Sequence, residues 1–170
     1  MKPSQWTDQA AAVAARASAP GVSPVEQVRT MPGIEFLQGI LEGRFPPAPI
    51  AEAADFILLS VERGAAVFQG SPGFRFYNPL GTVHGGWIAT LLDSCMGCAV
   101  HTMIEPEQGY TTAELKINFV RPVFDKTGPL RAEGKVIHFG RQIATAEGRL
   151  VDEGGKLYAH GTTTCLIFPI

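Results

Sequence analysis

One carboxylate stands out in the sequence, because it lies in the middle of a run that is otherwise almost wholly apolar. Asp93 follows Leu91 and Leu92 and comes just before Cys95 and Met96. A carboxylate is costly to place in such surroundings unless partners hold it or it has a function. Asp93 is therefore a candidate general base or nucleophile. The alternative is that nearby hydroxyls or main-chain groups satisfy it with hydrogen bonds and that it does nothing else.

A loop of polar residues and glycine precedes this carboxylate. Residues 78–86, Asn-Pro-Leu-Gly-Thr-Val-His-Gly-Gly, run into a predicted helix that covers residues 83–103. Gly85 and Gly86 leave the backbone amides at the helix start uncovered, so a ligand oxygen can approach them. Such amides lie at the positive end of the helix dipole and favour an oxyanion or another anion. The alternative is that the glycines only let the helix pack tightly. His84 either braces the loop or orients groups around the oxyanion site.

The separation of these two features has a consequence for assembly. His84 and Asp93 are nine residues apart. That spacing is about 13 Å along a helix that rises ~1.5 Å per residue. Amides at the helix start therefore cannot act on the same carbonyl group as Asp93 of the same chain. If both act on one substrate, a two-fold axis must bring two copies of the helix side by side. The pattern, if catalytic, predicts an obligate homodimer with two sites at its interface.

The pattern of apolar residues predicts the elements that hold this site. Residues 83–103 are apolar on nearly every side, which predicts a helix wrapped by the rest of the chain. Alternating, strand-like patterns are found at 56–62, 65–70, 110–120, 130–139, 142–152 and 156–168. The first two predict a hairpin, and the last four, separated by glycine turn signals, predict a meander. One apolar helix among antiparallel strands predicts an α+β hotdog fold, in which a curved antiparallel sheet wraps around one long central helix.

The chain is predicted to divide into an extension and one domain. Residues 1–30 form an N-terminal extension that is partly helical, and residues 31–170 form the hotdog domain. A short amphipathic helix begins at Pro32 and Gly33, and Gly43 is placed to end it. Residues 44–49 are predicted to be a connector, because three prolines there remove backbone donors and restrict φ.

Composition limits the classes of function and the expected partners. The 170 residues suffice for one domain with a real core. A net charge of −2 offers no basic field for nucleic acid or an anionic membrane. Three cysteines, an odd number, suit a reducing compartment, and no secretory signal is visible, which predicts a cytoplasmic protein. Cys95 and Cys98 form a C-x-x-C without a second pair at zinc spacing, so they are expected in the core and no metal site is predicted.

The combined pattern N-x-x-G-x-x-H-G-G-x(6)-D over residues 78–93 resembles the signature of a known family. It is similar to the PaaI-type, phenylacetate-degradation branch of hotdog-fold acyl-CoA thioesterases. Residues 112–122 resemble the central strand of that family, Gly161 and Thr162 fit its last strand, and the resemblance runs from about residue 50 to 168. It implies hydrolysis of an acyl-CoA to free acid and CoA. No cofactor is implied, since coenzyme A is part of the substrate.

The resemblance also implies catalytic roles. Asp93 would attack the thioester carbonyl or activate water, while Asn78 and Gly85 of the partner subunit would position water and polarise the carbonyl. His84 would hold that loop. A hydroxyl of the central strand would assist; counting back along the strand indicates Thr112, whereas strict alternation places the preceding threonine on the apolar face.

Substrate contacts and assembly follow from the same resemblance. The implied substrate-binding residues are Gly86, Phe119, Val120, Arg121, Phe139, Gly140 and Arg141. Relatives in this branch are commonly homotetramers built as dimers of dimers, so the chain is expected to form a homodimer at least and a homotetramer in full.

Two other functions remain open at this point. A hotdog hydratase or dehydratase would need a histidine paired with a carboxylate at the reacting carbon, whereas His84 lies on the side of the amide donors. A non-catalytic acyl-CoA-binding protein would not need Asn78 and Asp93, which are both present. No helix-turn-helix segment or basic patch indicates a transcriptional role.

Overall fold

The computed structural model describes residues 5–170, and residues 1–4 of the predicted extension lie outside the described residues. The described part has five α-helices: α1 (Gln5–Ala14), α2 (Val25–Val28), α3 (Gly33–Leu41), α4 (Pro49–Ala53) and α5 (Gly85–His101). It has six strands: β1 (Phe56–Glu62), β2 (Ala65–Gly70), β3 (Gln108–Phe119), β4 (Leu130–Phe139), β5 (Ile143–Val151) and β6 (Leu157–Pro169). Short 3-10 turns lie at Phe74–Phe76 and Asp125–Thr127. None of the helices within residues 5–170 is long and apolar enough to cross a membrane.

The six strands form one antiparallel sheet in the order β1-β2-β4-β5-β6-β3. The predicted hairpin of β1 and β2 is confirmed, but the predicted four-strand meander is wrong. Only β4, β5 and β6 form a meander, and β3 lies beyond β6 at the sheet edge. The reason is the length of the connections. Short turns keep β4, β5 and β6 adjacent, whereas the ten residues 120–129 let the chain return to the other side of the sheet.

Helix α5 packs on one face of this sheet, as the hotdog prediction requires. Its inner side is formed by residues such as Leu91, Leu92 and Met96, which are fully buried. Two paired glycines of β4 and β5, Gly134 and Gly148, let the helix approach the strands closely. A Cβ atom at Gly134 would lie only 2.2 Å from the carbonyl oxygen of Cys95. Close backbone contact is a recurrent reason for glycine within a strand.

The opposite side of α5 is not wrapped by the sheet, so the prediction of a helix covered on all sides is only partly right. Asp93, Ser94 and Cys98 are half-buried there. The helices of the N-terminal part approach this side, since α3 contacts both α5 and β1, and α1 and α4 contact β1.

The N-terminal third contains one helix that was not predicted. The predicted helix after Pro32 is present as α3, and Gly43 follows it with a φ of +78°, as expected of a glycine that ends a helix. Within the region predicted as a connector, however, Pro49 begins α4. Proline suits the first position of a helix, because its missing N–H would have no helical partner there.

Candidate active site

Asp93 lies near the middle of α5 and forms a hydrogen bond with β3. The Thr112 hydroxyl donates to Asp93 Oδ1 over 3.0 Å. Among the described residues, none donates a hydrogen bond to Oδ2. Both side chains are half-buried rather than fully enclosed. One carboxylate oxygen is therefore held in place, while the other remains available to a water molecule or a substrate carbonyl.

A bulge in β3 explains why the threonine was hard to choose from the sequence. The pairing of β3 with β6 shifts register between Thr112 and Glu114, so Ala113 is an extra residue in the strand. An extra residue reverses the alternation of faces beyond it. Counting in twos from the inward-facing Leu115 therefore indicates Thr111, whereas Thr112 is the residue that meets Asp93. Thr111 is exposed.

A cavity of about 520 Å³ adjoins Asp93 and Thr112. Its lining comes from α5, from both edge strands β1 and β3, and from the N-terminal helices. The sheet must curl for its two opposite edges to border one cavity. Most of the lining is apolar, as shown by Leu37, Ile40, Leu41, Phe56, Leu58, Phe68, Cys98 and Tyr110.

Two titratable side chains in the cavity lining, Cys98 and Tyr110, and the neighbouring His101 are held in their neutral forms. Burial, followed by the charge of Asp93, raises the pKa of Cys98 to about 12. Burial likewise raises the pKa of Tyr110 well above its usual value. Burial lowers the pKa of His101, which stacks on the Phe36 ring, to about 4. The Cys98 thiol is thus a poor nucleophile at neutral pH. The sequence predicted that Cys98 lies in the core, whereas in the structure it lies in the wall of this cavity.

Asn78 organises the loop that leads into α5. Its Oδ1 accepts hydrogen bonds from the amides of Leu80 (2.9 Å) and Thr82 (3.3 Å). Its Nδ2 donates to the Thr82 hydroxyl over 2.9 Å. A side-chain amide carries two N–H hydrogens, so one remains for another acceptor. The loop also turns through Gly81, whose φ is +87°.

His84 caps the start of α5. Its Nδ1 accepts a hydrogen bond of 2.8 Å from the Gly86 amide. A Cβ atom at Gly86 would lie 2.9 Å from that nitrogen, so this contact favours glycine. Within residues 5–170, the preceding amide of Gly85 donates no hydrogen bond. The cap therefore occupies the amide of Gly86, a predicted substrate contact, and leaves that of Gly85 available at the positive end of the helix.

A second cavity of about 380 Å³ lies at this end of α5. It brings together predicted site residues from the loop, the helix and the end of β3: Asn78, Gly85, Phe119, Val120 and Arg121. The Arg121 guanidinium donates to the carbonyl of Leu157, which fixes its position at the strand end. Asp93 and Thr112 do not line this cavity.

Strand register assigns the remaining predicted contacts, Phe139, Gly140 and Arg141, to the other end of the sheet. Phe139 is paired with Ala144, which is paired with Cys165, and Cys165 in turn is paired with Thr112. Phe139 packs partly against the core, Gly140 closes the β4–β5 turn, and Arg141 is exposed. The turn therefore lies on the same transverse row as Thr112.

Within one chain, the predicted site residues thus form two separate groups. One contains Asp93 and Thr112, with the β4–β5 turn at the same level. The other contains Asn78, Gly85 and the end of β3. Thr112 and Phe119 are seven residues apart on the same strand; since Ala113 is an extra residue in the bulge, about six steps of ~3.3 Å separate them, or about 20 Å. Neither group alone offers both a carboxylate and an oxyanion site.

A metal centre finds no support in this part of the chain. Within residues 5–170, no group of three or more histidine, cysteine, aspartate or glutamate side chains is arranged to hold a metal ion. The polar groups of the two cavities are carboxylates, hydroxyls, an amide side chain, backbone amides and an arginine. These groups suit acyl transfer to water, with a base on one side and oxyanion donors on the other.

A curled antiparallel sheet over one helix, with a carboxylate in mid-helix and one free amide donor at the helix start, defines a hotdog-type protein. Residues 80–159 match the model of the thioesterase superfamily. The Saccharolobus solfataricus protein SSO2140, provisionally assigned as an esterase, is 34% identical over 105 residues, which cover 62% of this chain and 73% of that protein. The 1,4-dihydroxy-2-naphthoyl-CoA hydrolase of Listeria monocytogenes is 27% identical over 108 residues, covering 64% and 86%.

A solved structure supports the same assignment. A mutant of phenylacetic acid degradation protein PaaI from Thermus thermophilus superposes with a TM-score of 0.63 at 28% identity, covering 69% of this chain and 97% of that one. The chain belongs to the thioesterase superfamily, in its PaaI-type hotdog branch, and so to the hydrolases that act on thioester bonds.

Proposed function

We propose that this protein hydrolyses acyl-CoA thioesters to free acid and CoA, as a homodimer whose two active sites are each completed by both subunits. The observation that carries the proposal is the division of the site residues between two cavities of one chain. Asp93 and Thr112 border one cavity, and Asn78 and Gly85 border the other. Thioester hydrolysis needs a base or nucleophile and an oxyanion site around the same carbonyl carbon.

The free edge of β3 offers a way to join the two groups. Among the described residues, β3 is the last strand of the sheet and pairs only with β6, and an unpaired edge strand favours pairing with another strand. A two-fold axis between Leu115 and Lys116 would pair β3 with its copy in antiparallel fashion. Thr112 would then lie opposite Phe119 of the partner subunit. The carboxylate of one chain would thereby approach the amide donors of the other.

In the proposed mechanism, the thioester carbonyl lies between the two groups. The Gly85 amide of the partner subunit donates to the carbonyl oxygen and stabilises negative charge there. Thr112 holds Asp93 Oδ1, and Oδ2 either takes a proton from water or attacks the carbonyl carbon. With water as the nucleophile, a C–O bond forms and the C–S bond breaks, and Asp93 passes the proton to the CoA sulfur. With Asp93 as the nucleophile, Oδ2 forms a C–O bond with the carbonyl carbon, the C–S bond breaks and CoA leaves as the thiolate. Water then hydrolyses the acyl anhydride, which regenerates the Asp93 carboxylate, releases the acid and supplies the proton that the thiolate takes up.

Arginines at the two strand ends fit the nucleotide part of the substrate. Arg121 borders the cavity that contains Asn78, and Arg141 is exposed on the β4–β5 turn. Guanidinium groups bind phosphates well, and coenzyme A carries several. In the proposed dimer, these two arginines come from different subunits, since they lie at opposite ends of each sheet.

A tetramer is the proposed complete assembly. The outer face of β5 and β6 exposes a row of large apolar side chains, among them Ile143, Leu166 and Phe168, at 47%, 45% and 40% of their surface. Contiguous apolar surface of this kind is typical of a protein interface. We further propose that the enzyme works in the cytoplasm without a cofactor, consistent with its three free cysteines.

The first test is the substitution Asp93→Asn, assayed by thiol release from a panel of acyl-CoAs. Because the variant keeps the shape but loses the base or nucleophile, kcat is expected to fall by about 10²–10⁴-fold. Glu62→Gln, at the exposed end of β1 and outside both cavities, is the matched control and should keep wild-type turnover. Near-normal kcat in Asp93→Asn refutes the assignment of Asp93. Wild-type protein that binds acyl-CoA without releasing thiol would instead indicate a binding protein.

The geometry disfavours the hydratase alternative. That reaction would require a histidine beside the carboxylate, whereas His84 caps α5 through Gly86, well away from Asp93 along the helix. His101 is closer to Asp93 in sequence, but its ring contacts the rings of Phe36 and Tyr110.

A further inference from the structure

The N-terminal segment, residues 5–20, forms part of the wall of the cavity beside Asp93. Its contributions are Val13, Ala14, Ala17, Ser18 and Pro20. This segment precedes residues 80–159, the region that matches the thioesterase superfamily. The cavity wall opposite the common catalytic core is therefore built from residues outside that matched region.

Contacts at both ends hold the segment in place. Near its start, the Arg131 guanidinium lies 4.1 Å from the centre of the Trp6 ring and donates to Gln9 Oε1 over 2.7 Å. At its end, the Ser18 hydroxyl donates to the carbonyl of Phe45 over 3.2 Å. The Gly21 amide then donates to the carbonyl of Pro47 over 3.0 Å. The segment is thus fastened to β4 on one side and to the chain between α3 and α4 on the other.

The side chains that this segment turns to the cavity are small. Val13 is buried near the end of α1, Ala14 is the last residue of that helix, and Ala17 lies just beyond the turn that follows; all three line the cavity. Ala12, Ala14 and Ala17 are all exposed in the single chain, but only Ala14 and Ala17 line the cavity. Small residues at the cavity positions leave room that larger ones would fill.

The size and chemistry of the cavity indicate its occupant. Within the described residues, Asp93 and Glu52 are the only charged side chains in the lining. The volume of about 520 Å³ is more than three times the roughly 150 Å³ of an apolar cavity that holds a benzene molecule. An acetyl group or a single aromatic ring would leave much of this apolar surface uncovered. A longer, uncharged acyl group would cover it.

We propose that residues 5–20 close the acyl pocket of this thioesterase, that the pocket takes a medium-chain fatty acyl group, and that Ala14 and Ala17 limit its length. The proposal rests on the thioesterase function proposed above. The carbonyl lies at Asp93, and the alkyl chain extends between α5 and β1 towards α1. The N-terminal segment is in this way the specificity-determining element of the chain.

The test compares Ala14→Phe with Ala12→Phe, using CoA thioesters from acetyl to palmitoyl. Phenylalanine adds about six carbon atoms to alanine, and a closely packed pocket cannot hold these together with the same number of acyl carbons. The wild type should prefer roughly C8 to C12 substrates. In Ala14→Phe, the ratio of kcat/KM for lauroyl-CoA to that for butyryl-CoA should fall at least about tenfold, as expected when an apolar pocket loses room for methylene groups. Ala12→Phe should keep the wild-type ratio.

Several outcomes would overturn the proposal. A wild-type optimum at acetyl-CoA, or equal ratios in Ala14→Phe and Ala12→Phe, refutes it. If Ala14→Phe does not fold, Ala17→Leu is the replacement, with the same expected direction. Binding of decanoyl-CoA to Asp93→Asn protein, measured by calorimetry, separates this proposal from the proposed function. Weaker binding in Ala14→Phe/Asp93→Asn, and not in Ala12→Phe/Asp93→Asn, supports the pocket even if no variant shows turnover.

Discussion

Mixing two inactive variants offers a direct test of a shared active site. One chain carries Asp93→Asn and the other Asn78→Ala, and the two are co-expressed with different tags. In the proposed homodimer, each site takes Asp93 from one chain and Asn78 from the other. A mixed dimer then has one site with both substitutions and one with neither, so it regains activity.

The expected magnitude follows from the dimer geometry. Random pairing of equal amounts gives about one half mixed dimers, each with one intact site of two, so the mixture should reach roughly a quarter of wild-type activity. Each homodimer should be lower by at least about 10²-fold, since Asp93→Asn removes the base and Asn78→Ala a polar group at the oxyanion side. For Asn78→Ala the loss should fall mainly on kcat rather than KM. The assay is thiol release, before and after purification through both tags.

The control places both substitutions on the same chain. Wild-type chains are mixed with chains that carry both substitutions, which leaves no intact site in a mixed dimer. A shared site then predicts about a quarter of wild-type activity, whereas a site within one chain predicts about a half. The shared site would be refuted if the mixture of single variants were no more active than either variant alone and the control mixture kept about half of the wild-type activity. Asp93 and Asn78 of one chain would then have to act on the same carbonyl although Thr112 and Phe119, which lie beside them, are about 20 Å apart along β3.

Two further substitutions test the site and the fold. Thr112→Val keeps the shape of the side chain but removes the 3.0 Å hydrogen bond to Asp93. Its kcat should fall by about 10–150-fold, which corresponds to the loss of about 1.5–3 kcal/mol for a hydrogen bond to a charged group. Thr111→Val, at an exposed position, should not lower kcat, and equal kcat values in the two variants would contradict the role of Thr112. Gly134→Ala should lower the free energy of unfolding in urea by about 1–3 kcal/mol, because its Cβ would lie 2.2 Å from the Cys95 carbonyl oxygen, and Gly73→Ala, which has open space around it, should change little.

Local sequence patterns predicted the elements well where short-range physics dominates. The hairpin of β1 and β2, the bounds of β4 and the buried side of α5 follow from alternation, turn glycines and helical periodicity. The choice of a partner for each strand does not follow from such patterns. β3 joins β6 at the edge because the ten-residue connection permits it, and the sequence carries no signal for that pairing.

The site divides in the same way. That Asp93 lies in mid-helix and the Gly85 amide at its start, too far apart for one carbonyl, is determined by the sequence, since helix rise is the same in every protein. The choice of Thr112 depended on the bulge at Ala113, which arises from the pairing of two strands distant in sequence. The closure of the acyl cavity by α1 likewise requires Trp6 and Gln9 to meet Arg131. Contacts between residues more than a hundred positions apart exist only once the sheet has curled, so only the tertiary structure decided them.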